Sequence, residues 1–169
     1  MFNDKYCLTQ AVLNGTKTMT RRLLKDGTPL GNWEETEKHL PYKVGEIVAI
    51  AQSYNAIGTP QYDKFGRDVA GNTNKMFIRT DLMKHHIRIT DVKVERLQDI
   101  SDEDCLREGV WQFYDNKKLF YVSKNIGYAP DVAFLSAREA FWYLIDKISG
   151  NGTWESNPWM VAYSFERMD

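Results

Sequence analysis

Gly15-Thr16-Lys17-Thr18-Met19-Thr20-Arg21-Arg22 decides how this chain is read. Three threonines, a lysine and two arginines follow a glycine, directly behind the apolar run Ala11-Val12-Leu13. Thr9 to Asn14 reads as a short helix, with Thr9 as its cap and Gly15 ending it in a left-handed conformation. Thr18 to Leu23 reads as a strand. Alternation then puts Thr20 and Arg22 on one face. Lys17 has the opposite parity, so it joins them only from the preceding turn or beside a bulge.

Outward from this segment the pattern is mixed. Residues 24–43 hold Gly27, Pro29, Gly31 and Pro41 among many charges and read as a loop. Glu46 to Tyr54 is a β-branched apolar run behind the turn Lys43-Val44-Gly45, hence a strand. Residues 55–75 are rich in Gly, Asn and Asp and read as an insertion. Met76 to Arg79 is a further strand candidate. His86 to Leu97 is a strong strand, and the parity shift between Ile89 and Val92 places a bulge near Thr90-Asp91. Ser101 to Glu108 reads as a helix capped by Ser101 and ended at Gly109. Residues 111–130 form another aromatic insertion. Ala133 to Ile148 has one apolar face and predicts the longest helix, and Trp159 to Phe165 alternates as a closing strand.

No strand–helix–strand rhythm appears, which argues against a doubly wound sheet. The expectation is a single α+β domain over 1–169: a small, mostly antiparallel β-barrel with peripheral helices.

Composition narrows the function. The chain has 169 residues and a formal net charge of −1, which argues against broad binding to long duplexes but not against a small basic pocket. Its five Trp, nine Tyr and eight Phe fill cores first and can stack on bases second; Tyr54, Trp111 and Trp154 are candidates for stacking. Cys7 and Cys105 fit no metal spacing or disulfide framework, and His85-His86 would face opposite sides of a strand, so neither a metal nor another cofactor is expected. Met1 to Lys5 lacks a leader pattern and no run is long enough to span a membrane, so a cytoplasmic location is expected.

Two positions suggest chemistry. Lys17 beside Arg21 and Arg22 would have its charged form disfavoured, and burial would add to this, making it a candidate base. Glu108 ends its helix with a carboxylate, against the helix dipole. Solvated helix ends tolerate such a residue cheaply; the functional alternative is that Glu108 is held near Lys17 and Arg22. Taken singly, Thr20 is an ordinary strand threonine and Arg22 an ordinary surface cation.

The segment Gly15 to Arg22 resembles the signature of ASCH domains, a branch of the PUA-like superfamily. Tyr42-Lys43-Val44-Gly45-Glu46-Ile47-Val48, Ile89 to Val92, Leu97 to Ser101 with Glu108-Gly109-Val110, and Asn157 to Val161 with Phe165 are similar to later parts of that pattern. The long insertions near 24–41, 55–75 and 111–130 resemble phage- or prophage-type members. The resemblance implies a PUA-like barrel with a cleft beside the signature. It implies either of two uses: RNA or nucleotide binding, or hydrolysis of N4-acylated cytidine nucleosides. For hydrolysis it implies Lys17, Thr20 and Glu108 as catalytic residues and Arg22 at the substrate. Arg21 and Tyr54 are the further substrate-binding candidates. The nucleophile is Thr20 or water, and the expected partner is a modified nucleoside or RNA.

Overall fold

A computed structural model describes residues 1–123 and 132–168. The first helix, α1 (Leu8–Leu13), buries Leu8, Ala11 and Val12. Thr9 is not its cap. Cys7 holds that position in a left-handed conformation, and Thr9 lies two residues further on, its hydroxyl donating to Asp4 Oδ1 at 2.5 Å. Gly15 ends the helix at φ 75°, its N–H donating to the Val12 carbonyl. Strand β1 (Met19–Leu23) follows.

Residues 24–43 contain a helix that hydrophobic periodicity does not reveal. Trp-Glu-Glu-Thr-Glu-Lys of α2 (Trp33–Lys38) has no apolar stripe, but Asn32 caps it by accepting from Glu34 N. Strand β2 (Ile47–Ala49) is shorter than the apolar run suggests. The insertion after it is organised by Asn72, whose side-chain amide bonds Asp68 and both backbone groups of Gln61. Met76–Arg79 is not a strand; Asn74 instead starts a 3-10 turn over Lys75–Phe77.

The long β3 (His86–Arg96) shifts register between Ile89 and Asp91, which is the expected bulge. Helix α3 (Asp102–Arg107) starts at Ser101, whose hydroxyl accepts from Asp104 N at 3.1 Å. Strands β4 (Trp111–Gln112) and β5 (Phe120–Tyr121) form a small hairpin inside the insertion expected over 111–130, whose remainder from 124 lies outside the described residues. Helix α4 (Ala137–Ser149) begins later than its apolar pattern suggests, because Ser136 caps it and Phe134 pairs with Phe120 instead. A short α5 (Thr153–Ser156) leads into β6 (Trp159–Arg167).

The fold is of the expected α+β class. Its main sheet is a curled antiparallel half-barrel with the strand order β1-β6-β3-β2. Residues 160–165 of β6 are all buried, so this strand is covered on both faces. Met160 joins the core under α3 and α4, whereas Val161, Tyr163 and Phe165 join a second core with Val12, Ile50 and Ile89. In the β1–β6 register Met19 lies opposite Ser164 and Arg21 opposite Ala162, while Thr20 meets Tyr163 and Arg22 meets Val161. Met19 and Arg21 therefore share the α3 face, and Thr20 and Arg22 the other. β1 is also an edge strand, so its free side exposes residues of both faces to one space.

Candidate functional site

That space is a cavity of about 880 Å³ lined by Lys17, Thr20, Arg21, Arg22 and Glu108, together with the α4 face and the segment Met1–Asp4. A second cavity of about 730 Å³ shares Asp4, Thr73 and Lys75 with it but holds none of the signature residues. The first is the candidate site.

Its floor is an ion cluster. The end of α3 is stitched to the start of β1 by Thr18 N donating to Arg107 O, which brings Glu108 beside Lys17. Lys17 Nζ donates to Glu108 Oε2 at 2.7 Å, to the Glu108 carbonyl at 2.6 Å and to the Met19 carbonyl at 2.7 Å. These three bonds saturate an ammonium group. They also resolve the misplaced helix-end carboxylate, since one cation serves both the last carbonyl of α3 and the carboxylate beside it. Lys17 is only 2% exposed. Burial holds its proton affinity below the usual lysine range; Glu108 offsets part of this, and Arg22 and Arg21 reinforce it.

Arg21 takes the other oxygen of Glu108, with Nη1 at 3.0 Å from Oε1. Its Nη2 meets Glu95 Oε1 at 2.5 Å and Asp104 Oδ2 at 3.1 Å. Burial opposes its charge, but Glu108 and Glu95 outweigh that and keep it firmly protonated. Lys93 and Arg107 complete the cluster by bonding Asp104, and Arg107 also reaches Thr18 and Ser164. Burial pushes the Asp104 carboxyl up, while Lys93 and Arg21 bring it below its ordinary value.

The sequence candidates divide into three groups. Lys17 and Glu108 are in direct contact. Thr20 and Arg22 line the same cavity from the opposite face of β1. The Thr20 hydroxyl has no hydrogen-bond partner among the described residues, and Arg22 Nη2 donates to the Met1 carbonyl at 2.7 Å. Arg21, expected to hold substrate, has both terminal nitrogens bound to carboxylates. Tyr54 does not line the cavity: it is buried in a separate cluster with Ile57 and Met83, its hydroxyl accepting from Arg79 N.

Several site residues were not anticipated. Glu95, Asp104, Lys93 and Arg107 complete the cluster, and the parity that Arg21 shares with apolar Met19 was the available sign that Arg21 faces inward. Phe2 lies over the cluster, its ring centroid 5.9 Å from Lys17 Nζ. Lys75 ties down the same segment by donating to the Phe2 carbonyl at 2.5 Å and pairing with Asp4 at 2.7 Å. Nothing in the sequence pattern pointed to these two.

Among the described residues no group of three or more His, Cys, Asp and Glu side chains could hold a metal, and no helix is long and apolar enough to cross a membrane. The chain matches no protein-family model and no curated protein. Solved structures similar to it include protein EF3133 from Enterococcus faecalis, described under family model DUF984 (15% identity, 96% of this chain and 67% of that one, TM-score 0.44). They also include the ASCH domain from Lactobacillus crispatus (14% identity, 99% of this chain and 76% of that one, TM-score 0.39). With TM-scores below 0.5, neither likeness carries an argument about function, which rests on the geometry of the cavity alone.

Proposed function

We propose that this chain is an ASCH-type domain of the PUA-like class whose cavity hydrolyses the amide of an N4-acylated cytidine-type nucleoside. The observation that supports this reading is a buried Lys17–Glu108 pair on the wall of a cavity of about 880 Å³ that also contains the unpartnered Thr20 hydroxyl.

In the resting state Lys17 carries no free lone pair. Burial weakens its hold on the third proton, and Glu108 lies one hydrogen bond away to receive it. The neutral amine then takes a proton from Thr20 or from a water that Thr20 orients. The resulting nucleophile adds to the acyl carbon, and protonated Glu108 returns its proton to the exocyclic nitrogen as the C–N bond breaks. Where Thr20 is the nucleophile, the acyl group is left as an ester on its oxygen, and a water then cleaves that ester, giving OH to the acyl carbon and H back to the Thr20 oxygen. By either route water supplies OH to the acyl group and the amine gains H, giving a carboxylic acid and the free nucleoside. Arg22, released from the Met1 carbonyl, steadies the base carbonyl or the oxyanion.

The test is turnover of N4-acetylcytidine by wild type, Lys17→Ala, Glu108→Gln and Thr20→Val. Thr20→Val is the most telling, because it keeps the shape of a half-buried side chain that holds nothing else in place. It is expected to lower kcat/KM by about 10²-fold or more. Wild-type turnover left unchanged by all three substitutions refutes the assignment.

A second reading is a non-catalytic reader of RNA or nucleotides. The saturated ammonium of Lys17 favours it, since a cation with every donor engaged suits a fixed electrostatic floor. The net charge of −1 weighs against it. Salt-dependent RNA binding without turnover of any acylated nucleoside decides for this reading.

A further inference from the structure

The wall facing the ion cluster is apolar. Helix α4 backs the cavity with Phe141, Leu144 and Ile145, which are buried in the core, and exposes Ile148 at its mouth. Four apolar side chains from different segments converge on the same cavity while remaining exposed: Met1 (54%), Leu23 at the end of β1 (57%), Met76 in the 3-10 turn (69%) and Ile148 on α4 (37%). Single exposed apolar residues need no explanation. Four around one mouth, above a floor of buried charge, form a site that is polar on one side and greasy on the other.

A cytidine with a small acyl group does not use such a wall. Its base and sugar are polar, and an acetyl methyl covers little of these exposed side chains. The cavity, at about 880 Å³, is also near the top of the ~300–1,000 Å³ range for sites that enclose drug-sized ligands. We propose that the scissile amide carries a bulky apolar acyl group, aromatic or branched, that seats against the exposed apolar side chains at the cavity mouth, with Ile148 and Met76 as the side chains that select it. The inference rests on the amide-hydrolysis reading and adds the acyl group to it. The chemistry is unchanged: the acyl–nitrogen bond breaks, and water gives OH to the large acyl group and H to the amine.

The experiment compares N4-benzoylcytidine with N4-acetylcytidine as substrates. It also measures calorimetric binding of both compounds to Thr20→Val, so that affinity is read without turnover. The expected result is a benzoyl preference of roughly 10-fold or more in kcat/KM, in line with what a few extra apolar atoms contribute in a fitted pocket. Ile148→Asn and Met76→Gln alter exposed side chains and leave the core intact. Each is expected to reduce that preference several-fold. Equal handling of the two compounds by wild type, or a preference untouched by both substitutions, overturns the proposal. Turnover of neither compound refutes the hydrolase reading instead, and the binding comparison still decides whether the apolar wall selects the benzoyl group.

Discussion

Glu108→Gln is the substitution that most directly probes the ion cluster. The carboxylate divides its oxygens between two cations, Lys17 at 2.7 Å and Arg21 at 3.0 Å, whose side chains are only 2% and 1% exposed. Glutamine keeps the shape but has one acceptor oxygen, so its NH₂ is turned toward one of the cations. Removing one partner of a buried pair costs about 3–5 kcal/mol. Lys17 retains two carbonyls, and Arg21 retains Glu95 and Asp104, which places the cost near the low end, about 3 kcal/mol. For a domain of this size that is a fall in Tm of roughly 6–12 °C. Urea unfolding and calorimetry measure it directly. A double variant with Lys17→Met removes a cation together with the anion, so the two losses are expected to be non-additive by about 1 kcal/mol or more. The pH dependence has a definite sign. Burial already holds Lys17 below its ordinary value, so over the alkaline window the folded state binds fewer protons than the unfolded state and stability rises with pH. Without Glu108 this rise becomes steeper. A loss under about 1 kcal/mol, or strict additivity of the two substitutions, refutes the description of Glu108 as a shared, desolvated counter-charge.

Other outcomes follow from neighbouring features. Asp104 titrates below its ordinary value when folded, so its contribution is present above the usual carboxylate range and is lost as pH falls through the folded value. The stability gap between wild type and Asp104→Asn should therefore be constant near neutrality and close in acid, as acid-dependent unfolding would read. Burial pushes the Cys105 thiol up to about 12, whereas Cys7 is partly exposed. A thiol reagent at mildly alkaline pH should label Cys7 in the native protein and Cys105 only after unfolding, with mass spectrometry locating the label. Gly109 has φ 104°, and a methyl there would lie 2.8 Å from Leu8 Cδ2 and 3.6 Å from Lys17 Cδ. Gly15 has φ 75° with open space around it. Gly109→Ala should therefore destabilise the protein more than Gly15→Ala, whose cost is about 1–2 kcal/mol of backbone strain, as chemical denaturation would measure.

Local signals were legible where they act within a few residues. Gly15 as a helix stop, Ser101 as a cap, the parity shift at Thr90 and the apolar face of α4 all appear in the fold because each depends on neighbours along the chain. α2 was hidden because its helical signal is an Asn32 cap with two following glutamates, not an apolar stripe. The candidate site was legible in its pairing of Lys17 with Glu108, but not in its choice of arginine. Alternation correctly separated Arg21 from Arg22, yet it does not say which face of a strand turns inward; that depends on α3 lying over Ala162 and Ser164. Charge partners distant in sequence, such as Glu95 and Asp104 for Arg21, leave no periodic trace. The role of Phe2 and Lys75 depends on how two loops cross a cavity, which no local pattern encodes.

The placement of β1 beside β6 has a consequence for how the molecule is made. Lys17 and Arg21 leave the ribosome early, but the carboxylate that joins them follows 91 and 87 residues later. Among the described residues β1 is hydrogen-bonded in the sheet to β6 alone, and β6 is made after β2 and β3. During synthesis at ~5–20 residues per second, the two cations therefore wait for several seconds in a chain that has nowhere to bury them. Their strong hydration keeps this stretch in water in the meantime. The residues that are most costly to desolvate in the finished protein thus serve, before completion, to keep an unpaired edge strand from associating with a neighbouring chain.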